Sequence, residues 1–235
     1  MNPIHPTENK ERANARIAGW FYLVAAVASI FALSFYQPIL FDPGYLLEGA
    51  KNANQILFGA FLELLSVVAV AGTAIMLSPT LKKFNESLTL AYFSFRFIEA
   101  ILILIGALSV LSLLTLSQAY TNAPSPDIAT FQTNGSVLKA VHDWTFILGP
   151  NFMLGINTFL YSYIFYRTQL IPTKISILGL AGAITIFLAS LLEMFGIFPQ
   201  VSLWGVLFAL PVFVYEMTLA IWLIAKGFNP TYLSK

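Results

Sequence analysis

Seven ionisable residues lie inside or at the edge of long apolar segments, and three of them have the spacing of one polar site. The seven are Glu63, Arg96, Glu99, His142, Asp143, Glu193 and Glu216. A charge near a bilayer centre costs about 2.5–3.5 kcal/mol, so it is usually paired or functional. Arg96 and Glu99 are three residues apart, which puts them on one helix face, and Glu216 has a similar depth in another segment.

These three residues define a predicted inner cluster, Arg96 with Glu99 and Glu216. One guanidinium can bond two carboxylates, and the cluster would then carry one unit of negative charge. Such a site could bind a solute, a lipid head group or a proton. A buried ion pair that only fixes helix packing is the competing interpretation.

A second polar group is predicted nearer the opposite membrane surface. We name its members the vestibule residues: Glu63, His142, Asp143, Asn151, Asn157 and Glu193. Asp143, Asn151 and Asn157 form a polar stripe along one segment. Gly149-Pro150 should loosen the backbone of that segment, as happens where a helix lines a cavity.

Other classes of site have little support in the sequence. The chain has no Cys and two His, so a zinc site is not expected. No H-E-x-x-H, G-x-S-x-G or P-loop pattern is present, and we expect neither a metal nor another cofactor. The net charge of +1 argues against nucleic acid as a partner.

Composition identifies the surroundings of these residues as a lipid bilayer. Of the 235 residues, 58% are hydrophobic and 10% charged, whereas soluble domains carry about 25% charged residues. The sequence predicts an all-α membrane bundle over residues 17–225, between tails at 1–16 and 226–235. Its six transmembrane helices would lie at about 17–40, 54–78, 88–117, 139–166, 174–196 and 202–225.

The distribution of Lys and Arg predicts that both termini are cytoplasmic. Of the 12 basic residues, all but three would then lie inside; the exceptions are Lys51, Lys139 and the intramembrane Arg96. The two long connections, 41–53 and 118–138, would be external loops. The four Trp and many Tyr near the span ends are typical of aromatic belts at the membrane surfaces.

Several short motifs, in order, resemble one family of bacterial membrane proteins. They are Ala15-Arg16-Ile17-Ala18-Gly19, Phe95-Arg96-Phe97-Ile98-Glu99-Ala100, His142-Asp143 with Phe146 and Gly149, Tyr166-Arg167 with Leu170-Ile171-Pro172 and Leu178-Gly179, and Glu216 with Trp222-Leu223-Ile224 and Lys226-Gly227-Phe228. The chain resembles the family catalogued as domain of unknown function 4386 over nearly its whole length. The resemblance implies a compact multi-span bundle in the bacterial plasma membrane, and it supplies no substrate.

The sequence favours a multi-pass protein that binds or moves a small solute or lipid through a polar interior. One alternative is a structural or regulatory subunit whose charges only pair helices. Another is a lipid-modifying enzyme with His142 and Asp143 as acid–base groups, which we consider less favoured than a non-enzymatic role. The expected partners are the bilayer and a small ligand; no protein partner is indicated.

Overall fold

The computed structural model describes residues 6–233, and the side chains of residues 9–231. All regular structure in this range is helical, which confirms the all-α part of the predicted fold class. The elements are α1 (Pro6–Phe35), α2 (Gln37–Leu40), α3 (Tyr45–Lys51), α4 (Ala53–Leu81), α5 (Glu86–Asn122), α6 (Ile128–Phe146), a π-helical segment (Ile147–Met153), α7 (Leu154–Thr168), α8 (Thr173–Met194), α9 (Leu203–Ala225) and α10 (Pro230–Leu233). The ends of the predicted tails, 1–5 and 234–235, lie outside the described residues.

Five helices are long and apolar enough to cross a membrane: α1 from Asn9, α4, α5, α8 and α9. Each matches a predicted span, although α1 ends five residues before the predicted limit at Leu40. The chain bends at Tyr36 and continues as the short helix α2, which has Pro38 in its first turn. The length of an apolar run thus located these helices well.

The remaining predicted span, 139–166, falls on a helical column that is broken in the middle. The last part of α6, the π-helical segment and α7 follow one another without a gap. Pro150 lies in the π-helical segment. The regular α-helix is interrupted there because the proline ring lacks an N–H and crowds the preceding turn. The predicted loosening at Gly149-Pro150 is confirmed. This column is not among the five helices that qualify as spans.

The long helices and the broken column form a closed ring. Helix α1 packs against α4, α4 against α5, and α5 against α6, the π-helical segment and α7. Helix α7 packs on α8, α8 on α9, and α9 returns to α1. We call the end where α1 begins the basic end, because Lys82, Lys83, Arg167, Lys174 and Lys226 all lie in or beside its connections. Lys83 forms an ion pair there with Glu11 of α1.

Both predicted loops at the opposite end are more helical than expected. Helix α3 occupies most of 41–53, and its Leu46 carbonyl accepts a bond of 2.8 Å from Ser117 Oγ of α5. Helices α5 and α6 take up all of 118–138 except residues 123–127. Asp127 caps α6, and the hydroxyl and amide of Thr130 lower the pKa of its carboxyl. Polar composition led to the loop prediction. The same composition is also compatible with an exposed helix, which is what the structure shows.

A packed core fills the ring at the basic end. Four Tyr side chains, each at most 1% exposed, form its centre: Tyr22, Tyr92, Tyr161 and Tyr215. The ring of Tyr161 lies 5.2 Å from that of Tyr92 and 6.0 Å from that of Tyr215, between centroids. These four Tyr therefore do not belong to an aromatic belt. Trp20, Trp144 and Trp204 are exposed, as residues of such a belt would be, whereas Trp222 packs half-buried against this core.

Close backbone contact between α8 and α9 yields a stability prediction. A Cβ at Gly182 would lie 2.8 Å from both the Cα and the amide nitrogen of Val212. Backbone has little freedom to retreat, so Gly182→Ala should lower the free energy of unfolding by about 1–3 kcal/mol. Thermal unfolding in detergent measures this. Gly106→Ala is the matched control, because its new Cβ meets the rotatable Thr145 hydroxyl, at 3.0 Å. Equal effects of the two changes would contradict the prediction.

Candidate functional site

The inner cluster is assembled within one layer of the ring. Arg96 Nη1 lies 3.0 Å from Glu99 Oε2, one helical turn further along α5. Both side chains are buried. The i,i+3 spacing on a helix is sufficient to bring them into contact. The guanidinium also lies above the Tyr22 ring, 5.5 Å from its centroid, so it rests directly on the tyrosine core.

Glu216 of α9 completes this cluster from across the ring. Its Oε1 lies 3.6 Å from Arg96 Nη2, within ion-pair range and beyond hydrogen-bond distance. Within the described part of the chain, this buried oxygen has no hydrogen-bond partner. Glu99, by contrast, has close donors on two sides. Glu216 is thus the least hydrogen-bonded carboxylate of the cluster.

Asn157 belongs to the inner cluster in the structure, although its place in the sequence put it with the vestibule residues. Its side-chain amide donates to Glu99 Oε2 at 2.6 Å and to the Met153 carbonyl at 2.7 Å. Its carbonyl oxygen accepts from Arg96 Nη1 at 3.4 Å. A further bond of 3.1 Å joins Arg96 Nε to Thr73 Oγ1 of α4. The cluster therefore connects four elements of the ring.

Among the vestibule residues, Glu63 and His142 meet at a tyrosine. The Tyr36 hydroxyl donates a 2.6 Å bond to Glu63 Oε2. The same tyrosine ring stands edge-on to the His142 ring at a centroid distance of 6.3 Å. His142 is buried, and its Nδ1 lies 3.3 Å from Asp143 Oδ1. This arrangement brings together α4, α6 and the bend after α1.

The other vestibule residues lie at the margin of this arrangement. The Asn151 amide donates to Glu193 Oε2 at 2.7 Å, which ties the π-helical segment to the end of α8. Asp143 points outward, with 68% of its side chain exposed. Asp143 therefore lies away from Glu63. It is an exposed residue that contacts the buried His142.

One cavity joins the two polar groups that the sequence separated. Its volume is about 290 Å³, and its lining comes from all the long helices and from the broken column. The ionisable side chains in its wall are Glu63, Arg96, Glu99, His142 and Glu216; Asn151 also lines it. Most of the remaining wall is apolar, including Ile103, Val212 and Phe213. The tyrosine core lies beyond Arg96 and closes the cavity toward the basic end.

Sequence reasoning missed Tyr36, Thr73 and Ser66 as polar members of this interior. Thr73 bonds Arg96, and Ser66 Oγ lies 2.7 Å from Ser29 Oγ of α1. A signal was available, since Glu63, Ser66 and Thr73 recur with helical periodicity along α4. Tyr36 gave no such signal, because it lies where the first helix bends.

A comparison with known protein families assigns the chain to a family. The family model described as DUF4386, a domain of unknown function, matches residues 17–227. The chain therefore belongs to this family, and its apolar helices mark it as a multi-pass membrane protein. No curated protein and no solved structure matches the chain.

Proposed function

We propose that this protein spans the bacterial plasma membrane six times and binds a small ligand inside the bilayer. The broken column, which is the fourth span in chain order, adds to the five long helices. It stands in the ring between α5 and α8, as the other spans stand between their neighbours. The basic end faces the cytoplasm in this proposal, since positively charged connections are retained on that side.

The charge of the cavity supports a cationic ligand. Three carboxyl groups line it, those of Glu63, Glu99 and Glu216, against the single guanidinium of Arg96. Arg96 and Asn157 already donate hydrogen bonds to the Glu99 carboxylate, and Tyr36 donates one to the Glu63 carboxylate. Glu216 lines the cavity and is held by one long ion pair to Arg96, so an ammonium group would be held at this carboxylate.

The size and apolar wall of the cavity support a ligand with a hydrocarbon body. Drug-sized ligands occupy pockets of about 300–1,000 Å³ that are mainly apolar with a few placed polar groups. A volume of about 290 Å³ lies just below this range, which suits a ligand smaller than a drug molecule. The single observation that carries the proposal is that this one cavity exposes both the inner cluster and the vestibule residues Glu63 and His142.

Saturable binding of octylamine tests the proposal. We expect octylamine, and not the uncharged octanol, to bind the protein in lipid nanodiscs and to raise its unfolding temperature. Glu216→Gln should weaken octylamine binding at least about tenfold, because it removes the charge opposite the ammonium. Calorimetric titration, with empty nanodiscs as the background, measures the affinity.

Glu11→Gln is the matched control for this test. Glu11 is also buried and ion-paired, and it lies at the basic end, outside the cavity. Its replacement should leave octylamine binding unchanged. Equal affinity for octanol and octylamine, or full affinity in Glu216→Gln, would show that the site does not select a cation.

A further inference from the structure

The exposed part of the cavity wall lies on one side of the ring. Most of its lining residues are buried or half-buried; those that are exposed are Ser29, Ile30 and Phe213. Ser29 and Ile30 belong to α1 and Phe213 to α9, and these two helices are neighbours. The opening therefore lies at the contact between α1 and α9, and we call these three residues the mouth.

The contact between α1 and α9 is closed toward the basic end. A Cβ added at Gly19 would lie 2.7 Å from the Ala220 carbonyl oxygen and from Ile224 Cγ1. The absence of a side chain at Gly19 thus lets the two backbones meet at that level. Ten or so residues further along, the same pair of helices presents cavity-lining side chains instead.

The depth of the mouth places it in hydrocarbon. Phe213 lies about 15 Å along α9 from Leu203, and Ile30 lies about 8 Å from the end of α1, at 1.5 Å per residue. The hydrocarbon core is about 30 Å thick. Large apolar side chains beside the mouth are exposed on the outer face of the ring, among them Val27, Phe31 and Val214. A molecule at this opening would come from the lipid phase.

We infer that the cavity takes single-chain amine amphiphiles directly from the bilayer, sideways between α1 and α9. This inference rests on the proposed function and adds the route and the ligand class. The ammonium head would reach Glu216, which lines the cavity one helical turn from Phe213. A cavity of about 290 Å³ holds the head and part of one chain, and the rest of the chain leaves through the mouth into lipid.

Photolabelling in nanodiscs tests the route. The probe is dodecylamine with a diazirine in its chain, mixed into the nanodisc lipid before light exposure. Ile30→Trp and Phe213→Trp fill the mouth and should slow labelling of the cavity at least tenfold. The control changes are Phe31→Trp and Val214→Trp, whose positions are about as exposed as their neighbours at the mouth and do not line the cavity. These two should label within twofold of the unmodified protein.

The possible outcomes separate the route from the proposed function. All four positions are exposed, so the new side chains need not enter the core, and unfolding temperature verifies the fold of each variant. If mouth and control variants label equally fast, entry from the side is overturned. If water-soluble butylamine saturates the site and dodecylamine does not label it, the lateral route falls while cation binding stands. If neither amine binds, the proposed function and this inference both fail.

Discussion

Replacing Arg96 with Gln is expected to lower the free energy of unfolding by about 3–5 kcal/mol. The change leaves the buried carboxyl groups of Glu99 and Glu216 facing each other without the guanidinium between them. Removing one partner of a buried pair has a cost of this size, whereas removing both can be neutral. The double variant Arg96→Gln with Glu99→Gln should therefore regain most of the lost stability. Thermal unfolding in detergent, supported by a denaturant titration, measures both.

Arg16→Gln provides the control for this prediction, because Arg16 is exposed near the start of α1. Its replacement should change stability by less than about 0.5 kcal/mol. A double variant that is less stable than Arg96→Gln alone would contradict the electrostatic explanation. It would show that shape and hydrogen bonding at this layer matter more than charge.

The positions of the long helices could be predicted because bilayer thickness sets their length. Five of the six predicted spans correspond to continuous helices that could cross a membrane. The prediction was less successful at the opposite end, where α3 and the ends of α5 and α6 replace two expected loops. Hydropathy reports where the apolar segment stops, and a helix is free to continue into water beyond that point.

The inner cluster shows what the depth of a residue along its helix predicts and what it leaves undetermined. Counting residues gives the height of Arg96, Glu99 and Glu216, and the structure brings these three side chains together. The rotation of each helix about its axis is set by packing of small residues such as Gly19 and Gly182, which depth alone leaves undetermined. Asn157 is a different case, because it lies nine residues from the predicted inner end of its span at Tyr166, at the depth of Glu216. Grouping it with the polar stripe of its own segment separates it from the inner cluster.

The tyrosines illustrate a related ambiguity. Tyr near the end of a transmembrane segment is typical of the membrane surface, and composition offers no reason to treat Tyr22 or Tyr161 differently. Burial of both in the core depends on their rotation toward the ring axis. The consequence for function is large, because this core closes the cavity beneath Arg96, toward the basic end.

Asn157→Leu is expected to destabilise the protein by about 2–3 kcal/mol, and to do so through the same network as Arg96. Asn157 donates to the Glu99 carboxylate at 2.6 Å and accepts from Arg96. Hydrogen bonds to charged groups contribute about 1.5–3 kcal/mol, whereas neutral interhelical bonds in membranes average about 0.6 kcal/mol. Once Arg96 is replaced, part of this stabilisation is already lost. The double variant should therefore be more stable than the two single effects predict, by at least about 0.5 kcal/mol.

Asn151→Leu distinguishes this coupling from a general effect of removing an amide from the broken column. Asn151 is buried like Asn157, and its side chain donates to Glu193 instead of the inner cluster. Its effect should add to that of Arg96→Gln within about 0.5 kcal/mol, because the two residues share no partner. Unfolding free energies of the four variants in each cycle measure the difference. Additivity for Asn157 would contradict the shared side-chain network. Equal coupling for both Asn residues would mean that the column senses Arg96 through backbone movement. In that event the π-helical segment, and not the side-chain network, would connect the cavity wall to the ion pair.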